Sequence, residues 1–434
     1  MKKQILWLAP YVPYPKVRHA GGKNLNYYIN YINDTGKFDI TFIGLGYEDE
    51  RKNVELEKTG IKSDIYYRDH SKADYIIRRI VSGFTLMNHW TKYARQLLLY
   101  EHMQLSKRIK RYKAAGGNPD IVMLHWTSMG LIMPEIKALF PNAKYVMVEE
   151  DVTYLGYQRK YETFKTNQWK RLYETLKKAE LNAIKNADLV VTLNQKDTKL
   201  LIQDGIAPEK IYTSTLYFEN YYDVQRKPAP GNLLFYGAMD RVENYESVID
   251  FIENVMPLLK ENDYILNVVG SKPNPKLIAA AEKFNHEAAA HESERGQMIA
   301  ADNRSESEYQ LQGYENNKIN VTGFVEDIRP YLSEAMCMVA PLKLGAGIKV
   351  KVLEAMSAGV PVLTNDIGIE GIYAKDRKEY IHCTNSEEFA NGIKELCNDD
   401  SKTDMIGRCG RDYIRDNFNL DSKLEGLMEM MQKL

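Results

Sequence analysis

Short continuous apolar runs alternate along the chain with longer stretches whose apolar residues recur at helical spacing. Gln4–Ala9, Phe38–Gly44, Ile121–Leu124, Tyr145–Val148 and Leu189–Leu193 read as strands in the first half. Leu233–Tyr236, Tyr264–Val269, Ile319–Val321, Met338–Ala340 and Pro361–Thr364 do so in the second. Helical patterns cover Asn24–Ile32, Gln168–Asn186 and Leu420–Leu434. A run apolar at every position suits a strand covered on both faces, as in a parallel sheet. Strands alternating with helices predict βαβ units, hence an α/β chain of two Rossmann-like doubly wound domains with an interdomain cleft.

The alternation breaks at YDVQRKPAPG, where two prolines and a glycine follow a charged stretch, and restarts at Leu233. The expected division is a first domain over 1–222, a linker at 223–230 and a second domain over 231–415. A polar, Ala/Glu-rich insertion near 279–317 and a C-terminal helix at 416–434, packing back on the first domain, complete it.

Composition changes this picture little. The 434 residues suffice for two cores, and 44% hydrophobic with 27% charged residues is ordinary globular usage. A net charge of −1 gives no footprint for nucleic acid. The distribution is less even: 68–113 holds eleven Lys/Arg against three Asp/Glu, interleaved with Ile76, Ile77, Ile80, Phe84 and Trp90. That mixture suits an anionic membrane surface, touched peripherally from the cytoplasmic side. The apolar run of MKKQILWLAP stops at Pro10, too short for a signal peptide, and no run reaches a membrane span. The four cysteines lack C-x-x-C spacing. His286 and His291 are five apart and would splay round a helix, so no metal site is expected.

The most informative stretch is VAPLKLGAGIKVKVLEAMSAGVPVLTNDIGIEGI, from Val339 to Ile372. A strand ends at Pro341, a loop carries Gly345, Ala346, Gly347 and Ile348, and a helix starts near Lys349. Glycines admit an anion to the backbone, and a helix N-terminus presents free N–H groups with a partial positive charge. Lys349 adds a full charge there. Glu354, further along the helix, suits two adjacent hydroxyls. Together these describe a nucleoside diphosphate with its ribose.

This segment resembles the donor signature of GT-B glycosyltransferases, particularly family 4. VTGFVEDIRPYL resembles the loop that holds the base against Phe324 and Val325, and LLFYGAMDRVEN the phosphate-side loop with Gly237, Arg241 and Asn244. The resemblance implies transfer of a sugar from a nucleotide-diphosphate donor, a co-substrate rather than a cofactor, to a saccharide or lipid-linked saccharide. It also implies metal independence and retention of anomeric configuration. Arg241 and Lys349 would stabilise the leaving diphosphate, with amides after Gly345 and Gly347. One departure stands out. Many members carry two glutamates eight apart, and Ala346 occupies the first position, which in the family faces the donor sugar.

In the first half, Gly21 and Gly22 follow the opening strand without the GKS/T ending of a Walker loop. Glu149, Glu150 and Asp151 end a strand, where ligands of open α/β sheets gather; Glu150 and Asp151 are the catalytic candidates. His125 and Trp126 end another, a packed strand terminus. Two other classes share the fold: a catalytically silent partner subunit of another glycosyltransferase, suggested by Ala346, and a sugar-nucleotide epimerase, which needs a further acid–base set.

Overall fold

A computed structural model describes residues 2–17, 19–69, 71, 76, 77, 80, 81, 93–259, 263–302, 317–344 and 347–434, with the backbone alone for 291–302. The chain forms two compact units, Met1–Phe218 with Asn419–Leu434, and Glu219–Phe418. The division falls after Phe218 rather than at the expected 222, and the chain returns to the first unit at Asn419.

The first unit is built on seven parallel strands: β1 Lys3–Ala9, β2 Phe38–Tyr47, β3 Lys62–Arg68, β4 Ile121–His125, β5 Lys144–Glu149, β6 Leu189–Thr192 and β7 Ile211–Thr213, in the order β3-β2-β1-β4-β5-β6-β7. Both faces of β1 are buried: Leu6 and Leu8 join one core with Val122, Leu124 and Met147, and Ile5 and Trp7 another with Tyr28, Val146 and Val191. This is why the central strands read as unbroken apolar runs. The helix Leu420–Lys433 covers part of the second core with Leu424, Leu427 and Met431, all buried. The Tyr212 hydroxyl donates to Lys423 O (2.6 Å) and Lys3 Nζ to Gln432 O (2.8 Å). Each fully buried leucine there contributes about 1.5–3 kcal/mol.

The second unit holds six strands, β8 Asn232–Tyr236, β9 Ile265–Val269, β10 Lys318–Gly323, β11 Cys337–Ala340, β12 Val362–Thr364 and β13 Ile381–His382, in the order β10-β9-β8-β11-β12-β13. In each sheet the order reverses beside the opening strand, between β1 and β4 and between β8 and β11. Crevices outside the carboxyl ends at such switch points are where open α/β sheets take ligands.

Three strands were not expected from the sequence. β3, β7 and β13 are all sheet edges, and KSDIYYR in β3 is polar because an edge strand needs less apolar surface. The stretch near 279–317 begins within one helix, Pro275–Asp302; 303–316 lie outside the described residues. Much of the basic segment, including Phe84 and Trp90, also lies outside them. Of its described residues, Arg68 is buried against Glu101 (2.7 Å), and Arg111 pairs with Asp64 (2.6 Å). Ile76, Ile77 and Ile80 are exposed. Among the described residues no helix is long and apolar enough to cross a membrane.

Candidate active site

At the switch point of the second sheet the ends of three adjacent strands are laced together through glycines. Gly237 N donates to Val269 O (3.0 Å) and Gly270 N to Gly323 O (2.9 Å). A Cβ on Gly270 would run into the Gly237 carbonyl, so only glycine allows this approach. Gly270 escaped the sequence reading, although the same signal, a glycine closing an apolar run, marks it in VVGS. Past Gly323 (φ +74°), the Phe324 ring is 71% exposed, an open aromatic face beside the half-buried Val325.

The loop after Gly237 is closed by Asn244, whose amide donates to Ala238 O (2.8 Å) and accepts from Lys351 Nζ (2.6 Å). Arg241 stands at the N-cap of the helix Val242–Asn254, its side chain 66% exposed and paired with Glu243. Asn244 thus shapes the loop, while Arg241 offers the charge. The sequence reading missed Lys351. Its ammonium lies over the Phe235 ring (4.2 Å), and burial pulls its pKa down to about 7. Arg241 and Lys349 push in the same direction, while Glu243 and Glu354 oppose.

Lys349 is the N-cap residue of the helix Val350–Ser357. Its Nζ donates to Gly347 O (2.5 Å) and lies 3.5 Å from Glu370, both side chains largely buried. Its charge therefore fastens the Gly347 turn (φ +71°) to the Glu370 segment. Ile348 is half-buried; Gly345 and Ala346 lie outside the described residues. Glu354, on the same helix, shares the Tyr236 hydroxyl with Lys351 O, at 3.2 and 2.8 Å.

The first unit presents a second cluster at the ends of β4 and β5. Glu150 Oε1 accepts from His125 Nε2 and Asn24 Nδ2, both at 2.6 Å, and Asn24 Oδ1 accepts from Tyr217 N (2.8 Å). His125 is buried, stacks on Trp7 (6.0 Å) and has no partner on Nδ1. It is more than a packed terminus: it orients a carboxylate. Trp126, next along, holds a left-handed backbone (φ +84°), unusual for so bulky a residue. Asp151 is exposed. The glycine pair is closely packed: a Cβ on Gly21 would sit 2.5 Å from the Trp126 ring and one on Gly22 2.5 Å from Val17. His19 caps the helix Ala20–Asp34, its Nδ1 accepting from Gly22 N (2.9 Å), and burial lowers its pKa, keeping it a neutral acceptor.

Glu149 points the other way. Its Oε2 accepts from Thr127 (2.5 Å), its Oε1 is buried without a partner, and Glu180 lies beyond the same threonine. Burial raises both pKa values, Glu180 to about 8, with mutual repulsion adding to the rise of Glu149.

Residues 230–399 match the family Glycosyl transferases group 1. No curated protein matches the chain in sequence. Among solved structures it resembles HepE of Anabaena, in a complex with UDP, at 14% identity and a TM-score of 0.61 over 100% of both chains. Sucrose-phosphate synthase from Thermosynechococcus elongatus resembles it at 14% identity and a TM-score of 0.64, over 100% of this chain and 99% of that one. TarM does so at 12% and 0.59, over 99% and 98%. The fold is the GT-B architecture of these structures, and the second unit carries a glycosyl transferases group 1 domain.

Proposed function

We propose that the chain is a glycosyltransferase that moves a sugar from a nucleoside-diphosphate donor held by the second unit to a hydroxyl of a saccharide or lipid-linked saccharide. The observation that carries the reading is the grouping of Arg241, Lys351 and Glu354 round the Gly237 loop at the β8/β11 switch point. Exposed Arg241 meets the diphosphate, Glu354 accepts from the ribose hydroxyls, and the base lies against Phe324. The UDP in the HepE structure makes uridine the first nucleotide to test.

Cleavage of the sugar–phosphate bond leaves negative charge on the diphosphate. Preorganised cations and amides aimed at that charge need no reorganisation, and each is worth about 2.7–4 kcal/mol. Protein cations take this role here, so the reaction is metal-independent, and it retains anomeric configuration. Glu150, held by His125 and Asn24, receives the acceptor proton. A carboxylate fixed by two donors on one oxygen keeps lone pairs for that purpose. The exposed Ile76, Ile77 and Ile80 beside the basic segment serve peripheral contact with anionic lipid.

Incubation with a panel of nucleotide sugars, scoring nucleotide release, tests the reading. One donor should be hydrolysed slowly without acceptor and faster with a saccharide. Absence of both binding and hydrolysis across UDP-, GDP-, ADP- and CMP-sugars would overturn it in favour of a silent partner subunit.

A further inference from the structure

Lys351 is placed unlike an ordinary helix lysine. Its Nζ bonds a neutral amide oxygen, Asn244 Oδ1 (2.6 Å), rather than a carboxylate. It lies over the Phe235 ring (4.2 Å) and 3.4 Å from the point a Cβ on Gly237 would occupy. The charged groups facing it are Arg241, Lys349, Glu243 and Glu354. The acids are engaged: Glu243 by Arg241, and Glu354 with the Tyr236 hydroxyl. Desolvation, helped by the fields of Arg241 and Lys349, holds this part-buried amine near neutrality in its basicity, at about 7. A diphosphate entering against Gly237 brings the missing counter-charge within a few ångströms, which favours the ammonium.

We infer that Lys351 is a diphosphate-binding residue that enters the complex as the ammonium, so that nucleoside-diphosphate binding draws one proton from solvent. The amine lone pair takes the proton, and the new N–H bonds a phosphate oxygen; no other bond changes. Asn244 holds the side chain at the loop until then. The inference rests on the donor reading above and adds to it a proton-linked residue, distinct from Arg241, which is charged throughout.

Calorimetry of UDP binding at pH 8, in buffers of different ionisation enthalpy, tests it. At that pH the UDP phosphates are fully ionised, their last pKa lying near 6, so any uptake belongs to the protein. The wild type should take up close to one proton per UDP at pH 8 and progressively less toward pH 6. Lys351→Arg, charged throughout, should bind UDP with similar affinity and no uptake. Lys351→Met should bind roughly ten- to a hundred-fold more weakly, also without uptake, its fold checked by thermal melting. Buffer-independent heats in the wild type, or uptake persisting in either variant, would overturn the inference while UDP binding itself left the donor reading standing. Failure of UDP, GDP and ADP alike to bind would remove both.

Discussion

Glu149 and Glu150 are consecutive, yet their carboxyl groups serve opposite sides of the first sheet. Glu149 accepts from Thr127 (2.5 Å) in a sealed interior, and Glu150 accepts from His125 and Asn24 (2.6 Å each) at the strand ends. The alternation of faces along β5, carried one residue past its end at Glu149, accounts for the divergence. One acid becomes a buried titratable group and the other a held carboxylate, and they fail differently when altered.

Glu150→Gln should lower kcat by roughly 10²–10⁴-fold, the usual worth of a positioned base, and leave UDP affinity unchanged. Steady-state kinetics and calorimetry measure the two separately. Unchanged kcat, or an equal loss of UDP binding, would remove Glu150 from proton transfer.

The Glu149–Glu180 pair predicts a pH-dependent stability. Burial lifts the folded-state pKa of Glu180 from 4.5 to about 8, and that of Glu149 also rises. The folded state then holds protons that the unfolded chain releases. This stability is complete below about pH 4.5 and is given up as pH rises toward 8, by at most about 1.4 kcal/mol per pH unit for each proton held. Glu149→Gln should raise Tm at pH 8 and flatten the decline between pH 5 and 8. A wild-type Tm that climbs over that interval, with the variant following it, would contradict the assignment.

Arg241 and Lys349 should separate in their effects. Arg241 is 66% exposed, so Arg241→Ala should cut kcat by about 10²–10³-fold with Tm unchanged. Lys349 supports a buried carboxylate, so Lys349→Ala should lower stability by about 1–3 kcal/mol by leaving Glu370 without its cation. Denaturant melts with parallel kinetics distinguish them, and equal stability losses would show that the two lysine and arginine roles are the same.

Glu354→Ala should weaken UDP binding by about 1.5–3 kcal/mol, the worth of hydrogen bonds to a charged acceptor. A dissociation constant unmoved by the substitution, measured by calorimetry, would sink the ribose assignment.

Lipid contact by the exposed isoleucines should show in co-sedimentation with vesicles. Binding should require anionic lipid, fade as salt rises, and drop when Ile76 and Ile80 are both replaced by serine. Equal recovery in the supernatant with neutral and anionic vesicles at low salt would rule the contact out.

The core strands were legible because their burial is recorded locally: ILWLA, IVML, YVMV and CMVA leave no polar position for water. The edge strand Lys62–Arg68 carries no such mark, because half of it needs no cover. The same contrast governs the site. Glycines closing apolar runs point to strand ends from sequence, and Gly237 is of that kind. Lys351 looks like a solvated helix lysine until Phe235 and Asn244, over a hundred positions upstream, are seen against it. Likewise Lys349 meets Glu370 across 21 residues, so its structural duty is invisible to any local pattern. What packs on Gly21 is equally remote: a ring from Trp126, far along the chain, stands where its Cβ would be.

The return of the helix Leu420–Lys433 to the first unit has a bearing on how the protein is made. Residues 1–218 leave the ribosome some 200 residues before the segment that completes their core, an interval of about 10–40 s at ordinary elongation rates. Through that interval the part of this core that Leu424, Leu427 and Met431 later complete is open to water or to other chains. The second unit, contiguous from Glu219 to Phe418, suffers no such delay. Nascent chains therefore pass through a stage in which the later-made half is whole and the earlier-made half is not, and it is there that a holdase chaperone has something to cover.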